Sequence, residues 1–284
     1  MIPQTRLISE SIIHSQSESE FAHDCRAVGD RIIESKGLFW RETHFGFYQG
    51  VHWLTRMPVA QAVQPTPFCW GYRTTLAEGD AAAANGTMPV NLLRNVSQYD
   101  FEHLRHSRRR ALLKSRKLVT VVELTGPAFL MAEGYEVLRS AWVRWGNSFL
   151  PTKAAYLADI ARTYKTRSIV LAGIVNGKLG GYLVGYAVGQ TAYLDNGFFA
   201  TEYLSTQICT ALIFDFVQIC RRSGGIREVV YGQHSRENPN LVAYKELMGF
   251  PVVHIPSLVY INPIMAEILR RCKPHIYYRL TGRE

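Results

Sequence analysis

The sequence has no long hydrophobic run, and its cysteines are few and dispersed. The five are Cys25, Cys69, Cys209, Cys220 and Cys272, and no two of them share a C-x-x-C spacing. An odd, scattered set favours reduced thiols over a disulfide framework and offers no zinc-binding pattern. The longest apolar runs, such as residues 169–175, are far short of the roughly 20 residues that cross a bilayer. We therefore predict a protein with no transmembrane segment and no bound metal.

The first twenty residues are polar and lack the apolar core of a secretion signal. We predict that they are poorly ordered and that the protein is cytoplasmic. The chain of 284 residues, 47% of them hydrophobic, has the composition of a globular protein. Its length fits one large domain or two small ones.

The net charge of +9 favours a polyanionic partner. Such a partner is a nucleic acid, a phosphorylated substrate or an acidic carrier protein. Much of the excess lies between residues 105 and 117, where four side chains are candidates for a phosphate-binding surface: Arg108, Arg109, Arg110 and Lys114. The alternative is a solvated helix face, which is what a run of charges usually forms.

From about residue 100 onward, helical and strand patterns alternate regularly. They predict a helix through the basic segment to about 116, a strand at 118–123, helices at 127–145 and 152–164, strands at 168–175, 179–188 and 191–199, a helix at 205–222, a strand at 227–231, a helix at 239–248 and a strand at 252–261. Asn176-Gly177, between two of these strands, is a type I′ hairpin signal. The order predicts an α/β fold with a mixed central sheet flanked by helices.

The first hundred residues are less regular. Residues 21–36 have apolar positions at helical spacing and end at Gly37, which predicts a helix with a glycine stop. Residues 38–55 are rich in aromatic residues and predict strands that break near Gln49-Gly50. The prolines that follow predict an irregular connection, and residues 77–87 predict an exposed loop.

The segment from Asn238 to Phe250, N-P-N-L-V-A-Y-K-E-L-M-G-F, carries the most specific pattern. Pro239 suits the first turn of a helix, and Gly249 suits its C-terminal stop. A helix that ends in Gly-Phe and precedes a strand resembles the closing motif of the Gcn5-related N-acyltransferase (GNAT) fold. Together with the order of elements, the resemblance implies a GNAT-like fold over about 118–263.

Two residues of this motif resemble one branch of that fold. Ordinary GNAT acetyltransferases place a tyrosine, their general acid, four residues before the glycine, whereas this sequence has Lys245 there and Tyr244 one step earlier. The aromatic-lysine pair resembles the Fem peptidyltransferases, which depend on aminoacyl-tRNA. The run R-R-R-A-L-L-K-S-R-K at 108–117 resembles the junction before the second GNAT half of Fem proteins.

The resemblance implies a GNAT-like acyltransferase domain over residues 99–284. It also implies, for the N-terminal region over residues 1–98, a degenerate first GNAT half. No residue-level repeat links the two regions, and the N-terminal region is short for such a half. The tandem arrangement therefore rests on the resemblance alone.

The loop with which acetyl-CoA users hold the CoA pyrophosphate is absent. In those enzymes it is a glycine-rich turn at the start of the helix after the fourth strand. The corresponding positions hold Leu204, Gln207 and Cys209, whose side chains obstruct close approach of a pyrophosphate. We therefore expect no cofactor, as in the Fem branch. The alternatives are an acetyl-CoA or acyl-CoA donor held by an atypical loop, and an inactive relative.

Acyl transfer to an amine needs a route for the amine proton and stabilisation of an oxyanion. Lys245 is a candidate oxyanion stabiliser or phosphate contact, as the resemblance to the Fem pair implies, or else a solvent-facing helix residue. Tyr244 is a candidate proton donor or a core aromatic, and His234 is a candidate base or an incidental loop residue. Asp195 falls in a predicted central strand, where a buried carboxylate must be paired or functional. Arg236 joins the candidate donor-binding residues.

These observations predict transfer of an aminoacyl or acyl group to an amine, with the donor carried on tRNA or on an acyl carrier protein. A CoA-dependent N-acetyltransferase is the first alternative. The second is a non-catalytic protein that keeps the GNAT scaffold and binds a polyanion through its basic helix.

Overall fold

The computed structural model describes residues 4–146 and 149–283. The strands are β1 (Thr5–Leu7), β2 (Ser15–Gln16), β3 (Ile32–Ser35), β4 (Leu38–His44), β5 (Phe47–Gly50), β6 (Gly71–Thr75), β7 (Gly86–Arg94), β8 (Thr120–Leu124), β9 (Ile169–Val175), β10 (Lys178–Val188), β11 (Thr191–Phe199), β12 (Glu228–Gln233) and β13 (Val252–Ile261). The helices are α1 (Glu18–Ala27), α2 (His106–Leu118), α3 (Tyr135–Arg144), α4 (Lys153–Thr163), α5 (Ile208–Arg222), α6 (Pro239–Leu247), α7 (Pro263–Cys272) and α8 (Pro274–Thr281).

The chain divides into two compact units whose segments interleave. The first unit takes residues 1–15, 93–230 and 247–249, and the second takes 16–92, 231–246 and 250–284. The division falls inside β12, between Val230 and Tyr231. These units do not coincide with the predicted border at 98/99, because the last part of the chain groups with the N-terminal region. A GNAT origin of that region stays a prediction.

The first unit is built on strands in the order β1-β8-β9-β10-β11-β12. Neighbouring strands are antiparallel except β11 and β12, which pair in parallel over 191–193 and 228–230. Asn176 and Gly177 have φ values of 50° and 78°, so the predicted type I′ hairpin between β9 and β10 is confirmed. Helix α5 contacts β9 and β10 and buries apolar residues along its length, Leu212 and Phe216 completely.

The second unit is built on strands in the order β7-β13-β6-β5-β4-β3. Neighbouring strands are antiparallel except β5 and β6, which are parallel. One core cluster of this unit includes Trp40, Met57 and Leu76, all of them buried. Helices α7 and α8 pack against each other, and α8 also contacts β13. The unit therefore carries most of the closing-motif helix α6 together with the last two helices.

The helix predicted at residues 21–36 is wrong, because this segment holds two elements. Helix α1 ends at Ala27, and Ile32–Ser35 is a strand in a hairpin with β4. Gly29, with a φ of +96°, cannot continue the helix. The β-branched pair that follows suits a strand better than a helix. Gly37 is therefore a hairpin residue rather than a helix stop.

Two smaller expectations also change. The start of the chain is not uniformly irregular, since Thr5–Leu7 pairs with β8 and a Ser17–Glu20 capping box starts α1. The break between the aromatic-rich strands lies at Phe45-Gly46 rather than at Gln49-Gly50. By contrast, the predicted strands at 191–199 and 252–261 are confirmed with their bounds.

Residues 4–146 and 149–283 contain neither a membrane-spanning helix nor a metal-binding cluster. No helix there has the length and apolar character to cross a membrane. No set of three His, Cys, Asp or Glu side chains in the same residues is placed to hold a metal ion.

Candidate active site

Lys245 is buried, with only 5% of its surface exposed. It belongs to α6, which begins after Asn238, and the side chain of Asn238 accepts the backbone N–H of Leu241 at 3.1 Å. The helix is followed by Gly249, whose φ of +92° lets the completely buried Phe250 turn back. The alternative expectation of a solvent-facing lysine is wrong.

Three neighbours surround the Lys245 ammonium. Its Nζ donates to Asn91 Oδ1 at 3.3 Å and lies 4.8 Å from the centre of the Tyr231 ring. A Cβ on Gly232 would lie 3.5 Å from Nζ, and the φ of +74° at this position explains the glycine within a strand. The Asn91 amide nitrogen donates to Phe250 O at 3.1 Å, which fixes the orientation of the acceptor that Lys245 uses.

Burial lowers the pKa of Lys245 to about 8. Desolvation of the ammonium is the main cause; the positive charge of Arg279 lowers the pKa further, and Glu237 opposes the shift. At neutral pH the side chain is therefore mostly an ammonium in a poorly solvated position. A fixed, desolvated charge of this kind is suited to stabilising a developing oxyanion.

His234 lies directly after β12 and contacts α8. Its backbone N–H donates to Pro89 O at 3.0 Å, and its Nδ1 lies 2.8 Å from the Tyr278 hydroxyl oxygen. Burial lowers the pKa of His234 below its ordinary value, and the neighbouring His254 and Lys245 lower it further. The imidazole is therefore mostly neutral at pH 7, which is the form that accepts a proton.

The loop after His234 is held against α8. The Arg236 guanidinium lies 4.4 Å from the centre of the Tyr278 ring. Arg279 donates to Ser235 Oγ at 3.0 Å and pairs with Glu237. Beside these contacts is a cavity of about 410 Å³ lined by Arg236, Glu237, Arg270, Pro274, His275, Tyr277 and Tyr278. Its size suits a small polar ligand or part of a larger one.

Asp195 is exposed, so the expectation of a buried carboxylate is wrong. In the pairing of β10 with β11, Val184 is opposite Asn196, whereas the next residue, Gly185, is opposite Leu194. Asp195 is thus the extra residue of a β-bulge, where a side chain leaves the regular alternation of the strand. Its carboxylate accepts the side-chain amide of Asn196 at 2.8 Å.

Two arginines of the basic helix α2 are engaged within the first unit. Arg109 pairs with Glu102 and donates to Leu104 O at 2.8 Å. Arg116 forms a two-point ion pair with the buried Asp215 of α5, with contacts of 2.7 and 2.5 Å. These side chains hold α2 to the fold.

The other basic candidates differ in exposure. Arg110 and Lys114 are exposed, and Arg108 is half-buried. Arg110 and Lys114 lie four residues apart, so they share a face of the helix. A polyanion would therefore meet Arg110 and Lys114 before it met Arg109.

The start of α5 has a left-handed residue, Gln207, at its N-cap. Gln207 has a φ of +63°, which is a conformation that glycine adopts more easily. The N–H groups of Thr210 and Ala211 donate to the Gln207 carbonyl at 3.0 and 3.2 Å. The half-buried Cys209 follows in the first turn. That the side chains of Gln207 and Cys209 obstruct CoA stays a prediction.

The candidate residues are divided between the two units. Lys245, His234, Arg236 and the half-buried Tyr244 belong to the second unit, whereas Asp195 and α2 belong to the first. Within the second unit, Gly232 lies beside Lys245 Nζ and precedes His234 by two residues, so the two candidate groups lie in the same part of the unit.

The residues that complete this site were missed from the sequence. Asn91 lies 154 positions from Lys245, and nothing in its local pattern marks it. Tyr278 and Arg279 lie in a C-terminal segment for which no element was predicted. The one available signal was Gly232, which directly follows the predicted strand at 227–231, since a glycine in a strand often marks a close approach of another group.

Comparison with solved structures shows which fold this is. FemX superposes with a TM-score of 0.62 at 9% identity, over 88% of this chain and 93% of FemX. The fold is GNAT-like and is shared with Fem-type structures. L-PGS from Bacillus licheniformis superposes with a TM-score of 0.58 at 12% identity, over 97% of this chain and all (100%) of L-PGS. No protein-family model matches the chain, and no curated protein sequence matches it.

A third structure gives the same result. It is the C-terminal domain of a putative lysylphosphatidylglycerol synthetase from Agrobacterium fabrum, with a TM-score of 0.57 at 12% identity, over 89% of this chain and 98% of that domain. The resemblance to the Fem branch stated from Lys245 and Tyr244 is therefore confirmed as a likeness of fold. At such low identities the shared fold does not fix the reaction, which depends on the residues of the site.

Proposed function

We propose that the protein transfers an acyl group to an amine and that this group is an aminoacyl residue carried on tRNA or on a carrier protein. The observation that carries the proposal is the buried Lys245 ammonium, which donates to Asn91 and lies next to Gly232, two residues before His234. The fold shared with FemX and L-PGS supports the class of reaction.

The chemistry follows from these two groups. The acceptor nitrogen attacks the carbonyl carbon of the donor ester or thioester while His234 accepts a proton from that nitrogen. The carbonyl oxygen becomes an oxyanion, and Lys245 Nζ donates a hydrogen bond to it. When the tetrahedral intermediate collapses, the bond to the carrier breaks and the new amide bond remains. The carrier oxygen or sulfur then receives the proton that His234 accepted, either directly or by way of Tyr244, so that both groups end in their starting forms.

A carrier-borne donor fits the charge of the chain. The net charge is +9, and Arg110 and Lys114 are exposed on one face of α2. Both tRNA and acyl carrier proteins are acidic enough to be attracted to such a face. The side chains of Gln207 and Cys209 at the start of α5 favour these donors over CoA.

The donor can be identified directly. The purified protein is incubated with aminoacyl-tRNA, acyl carrier protein or acetyl-CoA, each with a set of primary amines, and products are measured by mass spectrometry. The proposal expects an amide product with a carrier-borne donor. A product with acetyl-CoA alone would favour the N-acetyltransferase alternative. If no donor gives a product while a polyanion still binds, the non-catalytic alternative is favoured.

We expect Arg110→Ala combined with Lys114→Ala to flatten the salt dependence of tRNA binding. Each lost phosphate contact should reduce the slope of log affinity against log salt by about one unit. Fluorescence anisotropy with total tRNA over a salt series measures this slope. The matched control is Lys153→Ala with Lys178→Ala, two exposed lysines of the same unit. Equal slopes in the wild type and the Arg110/Lys114 variant would mean that α2 presents only a solvated face.

We also expect transfer to depend on pH in two limbs. His234 must be neutral to accept a proton, so the rate should rise through its lowered pKa, which lies below 6.5. Lys245 must keep its proton, so the rate should fall as the pH rises through about 8. The pH profile of kcat/KM, with one acceptor throughout, reports both groups.

His234→Gln should remove the acid limb of this profile and lower the rate about a hundredfold or more. An unchanged acid limb in that variant would assign the base elsewhere.

A further inference from the structure

Large apolar side chains are exposed at one end of the second unit. Phe45, in the turn between β4 and β5, is 88% exposed, and Phe68, in the segment before β6, is 94% exposed. Ile264 and Ile268, one turn apart on α7, are 72% and 47% exposed. These four residues form what we call the apolar patch. Single exposed apolar residues are common, but a group of this kind marks an interaction site.

Hydrogen bonds through Trp70 connect the three segments that carry the patch. Trp70 Nε1 donates to Phe45 O at 2.6 Å, which ties the β4–β5 turn to the segment that contains Phe68. Trp70 O accepts the backbone N–H of Asn262 at 2.7 Å, and the Asn262 side chain caps the start of α7. The exposed side chains therefore stand at one end of the unit on segments that hold each other in place.

Helix α7 has apolar side chains on an exposed face as well as on the face that packs against the unit. Met265 and Leu269 are half-buried, whereas Ile264 and Ile268 lie on a different, exposed face. In the described chain, none of the α7 residues is fully buried. The helix is ten residues long, or about 15 Å at 1.5 Å per residue. It is too short to cross a bilayer but long enough to lie in the plane of its interface.

The charges beside the patch are mostly positive. Arg270, Arg271 and Lys273 close α7, and the acidic residue of this helix, Glu267, pairs with both arginines. The segment 263–273 thus has three basic residues and one acidic residue. Two copies of this surface would bring like charges together, whereas an anionic lipid surface complements them.

We infer that this end of the second unit docks onto an anionic membrane surface. The patch enters the boundary between headgroups and acyl chains, and the basic end of α7 lies against the lipid phosphates. Interfacial binding strength scales with the apolar area that is buried and with the attraction of basic residues to anionic lipid. The inference does not depend on the proposed transfer reaction, since none of the four patch residues belongs to the candidate active site.

The test is co-sedimentation of the full chain with large unilamellar vesicles. Vesicles of 70% phosphatidylcholine and 30% phosphatidylglycerol should bind the protein, and pure phosphatidylcholine should bind it at least about tenfold more weakly. Phe45→Ser combined with Phe68→Ser should weaken binding to the anionic vesicles by about tenfold or more. Since both side chains are exposed, the variant should keep its thermal unfolding midpoint.

A matched control is Phe149→Ser, an equally exposed phenylalanine of the first unit, which is 90% exposed. It should leave vesicle binding unchanged. Three results would overturn the inference: no binding to anionic vesicles, equal binding by the Phe45/Phe68 variant, or equal loss in Phe149→Ser. If sedimentation velocity instead shows a dimer that the Phe45/Phe68 variant disrupts, the patch belongs to a second copy and the membrane assignment is wrong.

Discussion

Lys245→Met should lower transfer by about a hundredfold or more while leaving the protein folded. The size of the loss is that of removing one oxyanion donor from an active site. Methionine is chosen because it matches the length and volume of the buried lysine without the charge, so that no cavity is created at a position that is 5% exposed. The effect on the chemical step is measured as a single-turnover rate, with the donor that gives an amide product in the incubations described above.

Tyr244→Phe is the companion variant. It removes only a hydroxyl from a half-buried ring of the same helix. If proton return runs mainly through His234, this variant should keep most of its activity. A large loss in Tyr244→Phe with Lys245→Met nearly silent would place the proton-transfer role on the tyrosine, as in ordinary acetyltransferases. Full activity in both variants would remove α6 from the active site.

The second large effect concerns stability. Below pH 8 the folded protein holds Lys245 as an ammonium that burial disfavours, because its pKa is about 8 in the fold and 10.5 in the unfolded chain. This difference corresponds to about 3 kcal/mol of lost stability. Between pH 8 and 10.5 the unfolded chain binds a proton that the folded protein does not, so stability rises with pH in that window. We expect Lys245→Met to lack this rise.

The readout is the difference in unfolding free energy between Lys245→Met and the wild type. The free energy of unfolding of Lys245→Met minus that of the wild type should fall by about 3 kcal/mol from pH 7 to pH 10.5, because only the wild type gains stability in this range. Urea unfolding at each pH measures both free energies. The difference at a single pH is less informative, because methionine also leaves Asn91 Oδ1 without its donor at every pH. Buried thiols such as Cys220 and phenols such as Tyr99, whose pKa values burial raises, act equally in both proteins and cancel. A difference that stays constant with pH would mean that Lys245 is not desolvated.

The sequence predicted what depends on local chemistry. The I′ hairpin at Asn176-Gly177 follows from two residues that tolerate positive φ. The closing helix follows from a proline start and a glycine stop, and its aromatic-lysine pair led to the Fem-like fold. The helix at 21–36 failed because Ile32 and Ile33 fit both periods, and only the pairing with β4 decides between them.

The environment of Lys245 could not be predicted in this way. The sequence pattern of α6 alone does not show which face of the helix is buried. Lys245 is buried because it contacts Asn91 of β7 and Tyr231 of β12. The exposure of Asp195 likewise depends on a one-residue slip against β10, which alternation within β11 does not show. Both features depend on how separate elements pair, which the pattern within one element does not show.

The interleaving of the two units has a consequence for synthesis on the ribosome. In the second unit, β13 pairs with both β6 and β7. Residues 95–230 belong to the first unit and are synthesised after β6 and β7 but before β13. Its sheet therefore stays open, with unpaired edges on β6 and β7, until residues 252–261 have left the exit tunnel. Nascent chains with such edges are prone to wrong pairing. A stop codon anywhere after residue 230 and before β13 should therefore release an aggregation-prone product rather than a smaller working domain.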